Sequence, residues 1–66
     1  MPRYYFHIRR GQLTIVDREG TELSDDVEAV QEAVRRGRQI TTNEEGAIIV
    51  EDEWDYRIAE LPLDID

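Results

Sequence analysis

Side chains that could perform acid–base chemistry or bind a metal are unevenly distributed along this 66-residue chain. It has one histidine, His7, and no cysteine, whereas sixteen residues are Asp or Glu. The densest acidic run lies at 51–55, and a second extends over 17–28. The run at 51–55 lacks the alternating Asp/Asn positions and the interior glycine of a calcium loop, and adjacent carboxylates in a strand point to opposite faces. The run at 17–28 is similarly acidic, and we interpret it in the same way. We therefore interpret both runs as solvated turns and expect no bound metal.

His7 has the side chain best suited to general base catalysis, because histidine titrates near neutral pH. The sequence offers no serine, cysteine or second histidine arranged with it as a nucleophile system, since the one serine, Ser24, is expected to cap a helix. Paired carboxylates of the glycosidase type need a cleft that fixes their separation, and a small single-layer domain offers little room for one. We therefore expect a structural role for His7, no catalytic residue, no cofactor and a non-enzymatic protein.

The charge balance excludes several classes of partner. The formal net charge is −8, and all eight basic residues are arginine. Binding to nucleic acid or to an anionic membrane surface depends on excess positive charge, so we expect neither. No apolar run is long enough to span a membrane, and the first ten residues lack the apolar segment of a signal peptide. These features predict a cytoplasmic protein.

Alternating apolar and polar residues predict four strands, at about 3–10, 12–17, 47–52 and 56–61. Between the two pairs lies the one convincing helix, at about 26–41. The order β-β-α-β-β predicts a single small α+β domain with a four-stranded, mostly antiparallel sheet and one helix on one face. The acidic segment after Pro62 is expected to fray.

The predicted helix carries an apolar stripe that should cover the sheet. Its members are Val27, Val30, Val34 and Thr41, with Ala33, Gly37 and Ile40 beside them on the same side. Asp25 followed by Glu28 fits a capping box at its start. Gly37 leaves two alternatives open. It either ends the helix early and leaves 39–42 as an extra strand, or it faces the sheet where no side chain fits. We favour the second alternative, because Gly37 lies on the apolar stripe.

Several short segments in the same order resemble a family of short bacterial domains of unknown function. They are Pro2 to His7 (PRYYFH), Asp17 with Glu19 to Leu23 (EGTEL), Asp26 to Ala29, Val50 to Glu53 (VEDE) and Leu61 to Leu63 (LPL). Members of that family open with P-R-[YF]-[YF]-F and close with V-x-D-E…[LV]-P-[LF], and the resemblance covers essentially the whole chain. It implies no established activity, cofactor or catalytic residue.

The chain departs from this family pattern at three places. Ser24 stands where the family usually has proline, and Trp54 and Asp55 stand where its last hairpin usually has glycine. The helix is also shorter and poorer in alanine than is usual in the family. These departures affect the start of the helix and the last turn.

Apolar residues on both faces of the predicted sheet indicate an interface. The residues expected to face the helix are Tyr4, Phe6, Ile8, Leu13 and Ile15. The candidate interface residues on the opposite face or its rim are Tyr5, His7, Val16, Ile49 and Trp54. One helix covers one face, so an apolar patch on the other normally marks a contact surface.

A chain this short also has a thin core. We therefore expect a homodimer with an interaction or regulatory role. The alternative is an antitoxin-like or adaptor module that binds a basic protein through the open sheet face, which an acidic surface would suit.

Overall fold

The structure, a computed structural model, describes residues 1–65. It contains one helix and seven strands within these residues. In chain order the elements are β1 (Arg3–Arg10), β2 (Leu13–Ile15), β3 (Thr21–Glu22), α1 (Asp26–Gly37), β4 (Thr41–Thr42), β5 (Gly46–Glu51), β6 (Arg57–Pro62) and β7 (Asp64–Ile65).

The main sheet has the strand order β2-β1-β5-β6, and all of its pairings are antiparallel. A fifth strand, β3, pairs with the start of β1 along the same edge as β2. The short strands β4 and β7 form a separate parallel pair. The predicted α+β class is confirmed, with one helix against an antiparallel sheet, although the sheet gains a strand that lay within a predicted turn.

Helix α1 begins as its sequence suggests. Asp25 is the N-cap, with an extended backbone (φ −163°), and its Oδ1 accepts a hydrogen bond from the backbone N–H of Glu28 at 2.9 Å. The Glu28 carboxylate reaches back to Ser24, whose hydroxyl donates to it at 2.9 Å. The first bond satisfies a backbone donor that the first turn of a helix otherwise leaves free, and the second ties the preceding residue to that turn.

The helix ends at Gly37 and not at Thr41, so the prediction of a longer helix was wrong. Arg38 forms the C-cap, and the backbone then turns into β4. Glycine is a poor helix former, and the residues that follow, Ile40, Thr41 and Thr42, are β-branched and favour extended structure. The alternative with an extra strand after Gly37 is the one that the structure adopts.

The buried line of α1 consists of small residues. Ala29 and Ala33 are fully buried against the sheet, whereas Val27 and Val34 are exposed. The valines of the predicted stripe are therefore rotated away from the sheet, and only Val30 among them is partly covered. Alanine at the contact lets the helix backbone lie close to the strands, which brings more of the helix into contact than valine would allow.

The core lies between α1 and the centre of the sheet. Its buried members are Tyr4, Phe6, Ala29, Ala33, Ile48, Val50 and Leu63. Leu63, the residue directly after Pro62, is buried in this core, so the expectation that the segment after Pro62 frays was wrong for Leu63. Asp66, the last residue of that segment, lies outside the described residues. Leu13 and Ile15 lie on the same side of the sheet as Ile8 but are exposed, because α1 packs on β5 and β6 and does not reach β2.

Candidate functional site

Four of the five predicted interface residues lie on the sheet face opposite α1. His7, Val16 and Ile49 line one shallow depression of this face, and the ring of Tyr5 stacks on that of His7 with a centroid distance of 6.5 Å. Trp54 is not part of this group. It lies in the turn between β5 and β6, in a different groove, where it is near Val27.

The imidazole of His7 is held on both of its nitrogens. Its Nδ1 lies 3.1 Å from the backbone N–H of Asp17 and accepts its hydrogen bond, and its Nε2 lies 3.0 Å from Oε1 of Glu51. Since Nδ1 is an acceptor, the neutral ring carries its proton on Nε2 and donates it to Glu51. Both contacts connect distant parts of the chain, so they give His7 a positioning role in the sheet.

Asp17 organises the loop that leaves β2. Its carboxylate accepts hydrogen bonds from the backbone N–H groups of Phe6, Glu19 and Gly20, each at 3.1 Å. Partial burial tends to raise the pKa of Asp17, but these three bonds outweigh it and leave the pKa below its usual value. The Phe6 bond fills the gap along β1 between the segments that pair with β2 and β3.

Charged side chains cover the centre of the open face. Glu60 pairs with Arg9 at 3.3 Å and with Arg57 at 3.0 Å. The register places Glu60 and His7 on either side of Ile49, which is only 8% exposed. Together with Glu51, these are two acidic and two basic side chains, so this face is neither a broad apolar patch nor a strongly acidic one.

The exposed aliphatic residues gather instead at the β2 edge, which we define as residues 13–16. Leu13, Ile15 and Val16 are 65%, 50% and 51% exposed. One side of β2 pairs with β1, and the other side ends the sheet. Sequence reasoning placed Leu13 and Ile15 under the helix, because alternation along a strand gives the face of a side chain but not how far the helix extends over it.

A second feature is a groove of about 740 Å³ between the start of α1 and the β5–β6 turn. We call it the acidic groove. Its lining consists of Met1, Pro2, Tyr4, Ser24, Asp25, Asp26, Val27, Asp52, Glu53 and Trp54. Val27 and Trp54 are 66% and 69% exposed. The acidic residues come from two runs that the sequence reading assigned to solvated turns, and only the fold brings them together.

The floor of the acidic groove is the hydroxyl of Tyr4, which donates a hydrogen bond of 2.7 Å to Asp26. This bond, with burial and the negative charges of Asp26, Asp25 and Asp52, raises the pKa of Tyr4 to about 12. The carboxylates of both runs therefore act on the same hydroxyl.

Within residues 1–65 there is no group of three or more His, Cys, Asp or Glu side chains arranged to hold a metal ion. The same part of the chain contains no helix with the length and apolar character needed to cross a membrane.

These features define a small α+β domain with one uncovered sheet face, an exposed strand edge and an acidic groove. The chain belongs to the family described as Domain of unknown function (DUF6894), whose family model matches residues 3–64. No curated protein matches the chain, and no solved structure does.

Proposed function

We propose that this chain is a non-enzymatic cytoplasmic interaction domain that forms a homodimer through the β2 edge. One observation carries the proposal: Leu13 and Ile15 in β2, and Val16 directly after it, are all at least half exposed, and the outer side of this strand ends the sheet. Residues 13–16 include no charge and no proline. Natural proteins usually protect such an edge, because its free N–H and C=O groups can pair with another strand.

The opposite edge of the sheet, formed by β6, has features that protect an edge strand from pairing with another strand. Strand β6 carries Arg57 and Glu60, ends in Pro62 and contains an irregular register beside Val50. Charges, proline and bulges all discourage pairing with a further strand. The difference between the two edges supports β2 as the side on which a partner strand adds.

A second copy of the chain is the partner that fits this edge best. An antiparallel pairing about a two-fold axis at Thr14 would place Leu13 opposite Ile15 of the partner subunit, on the same face. The two sheets would then continue as one. Full burial of an aliphatic side chain contributes about 1.5–3 kcal/mol, so burial of the exposed half of six such side chains would add at most about 4.5–9 kcal/mol before the cost of association.

The proposal is tested by the oligomeric state of the protein and of two matched variants. Ile15→Lys places a charge on the β2 edge, whereas Val27→Lys makes a similar change at an exposed residue of α1. Native mass spectrometry and sedimentation should give twice the chain mass for the wild type and for Val27→Lys. Ile15→Lys should be monomeric while its circular dichroism spectrum stays that of the wild type.

Two results would overturn the proposal. A monomeric wild type at high micromolar concentration would remove it altogether. A dimer that Ile15→Lys does not weaken would show that another surface, such as the face of Tyr5 and His7, makes the contact.

A further inference from the structure

We propose that the acidic groove binds a basic, arginine- or lysine-containing segment of a partner protein. The groove combines an exposed aromatic side chain with carboxylates, and this combination suits a cation on a flexible apolar stem. It lies at the end of the sheet where β1 begins, whereas β2 pairs with the last residues of β1. The proposal is therefore independent of the homodimer.

Trp54 is the aromatic surface of the groove, and the turn that carries it is well fixed. Oδ1 of Asp52 accepts hydrogen bonds from the backbone N–H groups of Trp54 and Tyr56, both at 2.9 Å. Asp55 closes the turn in a left-handed conformation (φ 66°), which aspartate tolerates better than most residues. The backbone at Trp54 is thus anchored, and a tryptophan side chain has only two torsion angles to order on binding, which is one reason why tryptophan is frequent among the residues that dominate binding energy.

Four carboxylates line the groove together with this tryptophan, from Asp25, Asp26, Asp52 and Glu53. The first three use Oδ1 for bonds within the chain, to the N–H of Glu28, the hydroxyl of Tyr4 and the turn respectively. Within the described residues, their Oδ2 atoms and the Glu53 carboxylate have no side-chain or backbone hydrogen-bond donor. The oxygens that fix the fold are thus distinct from those that could accept from a guanidinium or ammonium group.

The negative charge of the acidic groove favours a positively charged segment of a partner protein. No lining residue has a basic side chain. The positive end of the α1 dipole amounts to about half an elementary charge, which is small beside four carboxylates. An acidic segment would be repelled by these carboxylates, whereas a basic one would be attracted. Val27 offers an apolar wall for the stem of a bound arginine or lysine.

Trp54 is also the only tryptophan in the chain, so its fluorescence reports directly on the groove. The probe is a short peptide that alternates arginine and alanine, and a peptide of the same length that alternates glutamine and alanine is the neutral control. At physiological ionic strength, the basic peptide should shift the fluorescence of Trp54 saturably. The neutral peptide should leave it unchanged.

A matched pair of variants separates local contact from long-range attraction. Glu53→Gln and Glu45→Gln remove the same charge, but only Glu53 lines the groove. With a labelled peptide and an anisotropy readout, Glu53→Gln should weaken binding about threefold more than Glu45→Gln. Trp54→Ala should weaken it about tenfold, and Ile15→Lys, which changes the net charge by the same amount as Glu45→Gln, should weaken it no more than Glu45→Gln does.

Equal losses for Glu53→Gln and Glu45→Gln would overturn the proposal, because binding would then follow net charge alone. An unchanged Trp54 signal during peptide binding would overturn it as well, since the peptide would occupy another surface. Binding of the neutral peptide with the same affinity would show that the groove selects apolar chains and not cations.

Discussion

Replacing Asp17 with alanine should destabilise the chain more than the removal of any other exposed or half-buried carboxylate. Its carboxylate connects the loop after β2 to Phe6 in β1 and also closes the turn through Glu19 and Gly20. No other side chain in the described part of the chain accepts three backbone N–H groups.

The size of the loss follows from where the three donors lie. The N–H of Phe6 belongs to a buried residue at the gap between β2 and β3, and an unsatisfied buried donor costs about 1–3 kcal/mol. The N–H groups of Glu19 and Gly20 can turn to water, so each adds about 0.5 kcal/mol. The total of about 2–4 kcal/mol is a large fraction of the roughly 3–10 kcal/mol expected for a chain of this length.

Urea denaturation followed by far-ultraviolet circular dichroism measures this loss. Glu19→Gln is the control, since it removes the same charge from the same turn while the backbone donors keep their acceptor. The variants are compared at one protein concentration, because dimerisation would make the midpoint concentration-dependent. A free energy of unfolding for Asp17→Ala within about 0.5 kcal/mol of that for Glu19→Gln would refute the role given to the Asp17 carboxylate.

The pH dependence gives the same test without a large truncation. The pKa of Asp17 is lowered in the folded state, so its contribution to stability is present above the unfolded-state pKa and is lost as the pH falls through the lowered value. The wild type should therefore lose stability in acid more steeply than Asp17→Asn does.

Two further predictions concern glycine and Tyr4. Gly46→Ala should be strongly destabilising, by about 2 kcal/mol or more, because the new Cβ would lie 2.3 Å from the carbonyl oxygen of Arg9, whereas Gly37→Ala, with its nearest neighbour at 3.9 Å, should be neutral or slightly stabilising by thermal denaturation. Ultraviolet absorbance should detect a tyrosine that ionises near pH 12 in the wild type and is missing in Tyr4→Phe. Since the pKa of Tyr4 is raised from about 10 to about 12, its bond to Asp26 should stabilise the fold below pH 10 and lose that effect as the pH rises towards 12. If Tyr4→Phe instead loses a component that ionises near pH 10, the raised pKa of Tyr4 is contradicted.

The fold class could be predicted from local patterns because each pattern has a local physical cause. Alternation from Tyr4 to Ile8 indicates a strand with one buried face, and Tyr4 and Phe6 are indeed buried. The capping pattern of Asp25 and Glu28 depends only on neighbouring backbone, and the structure contains that bond.

The predictions that were wrong concerned contacts between residues that are far apart in the sequence. The rotation of α1 towards Ala29 and Ala33 is set by how closely the helix approaches β5, and hydrophobicity alone favoured the valines. Leu63 is buried and its backbone N–H donates to the carbonyl of Gly46, a partner that is 17 residues away in the sequence and that no local pattern indicates.

The site was the least predictable part. The acidic groove joins residues near 25 to residues near 53, and only the sheet register brings these two segments together. The separation of Trp54 from Tyr5 and His7 follows from the same register. Strand β5 runs antiparallel to β1 and its last residue, Glu51, pairs with Tyr5, so the turn that carries Trp54 lies beyond that pair, towards the start of β1.

The most direct measurement of the proposed homodimer is disulfide formation by single-cysteine variants, because the chain has no cysteine of its own. Leu13→Cys, Thr14→Cys and Ile15→Cys sample the β2 edge, and Tyr56→Cys is an equally accessible control outside it. Under mild oxidation at low micromolar concentration, pairing about Thr14 predicts a covalent dimer of Thr14→Cys that forms much faster than that of Tyr56→Cys. If none of the three edge variants cross-links faster than Tyr56→Cys, the β2 edge does not pair with a second copy.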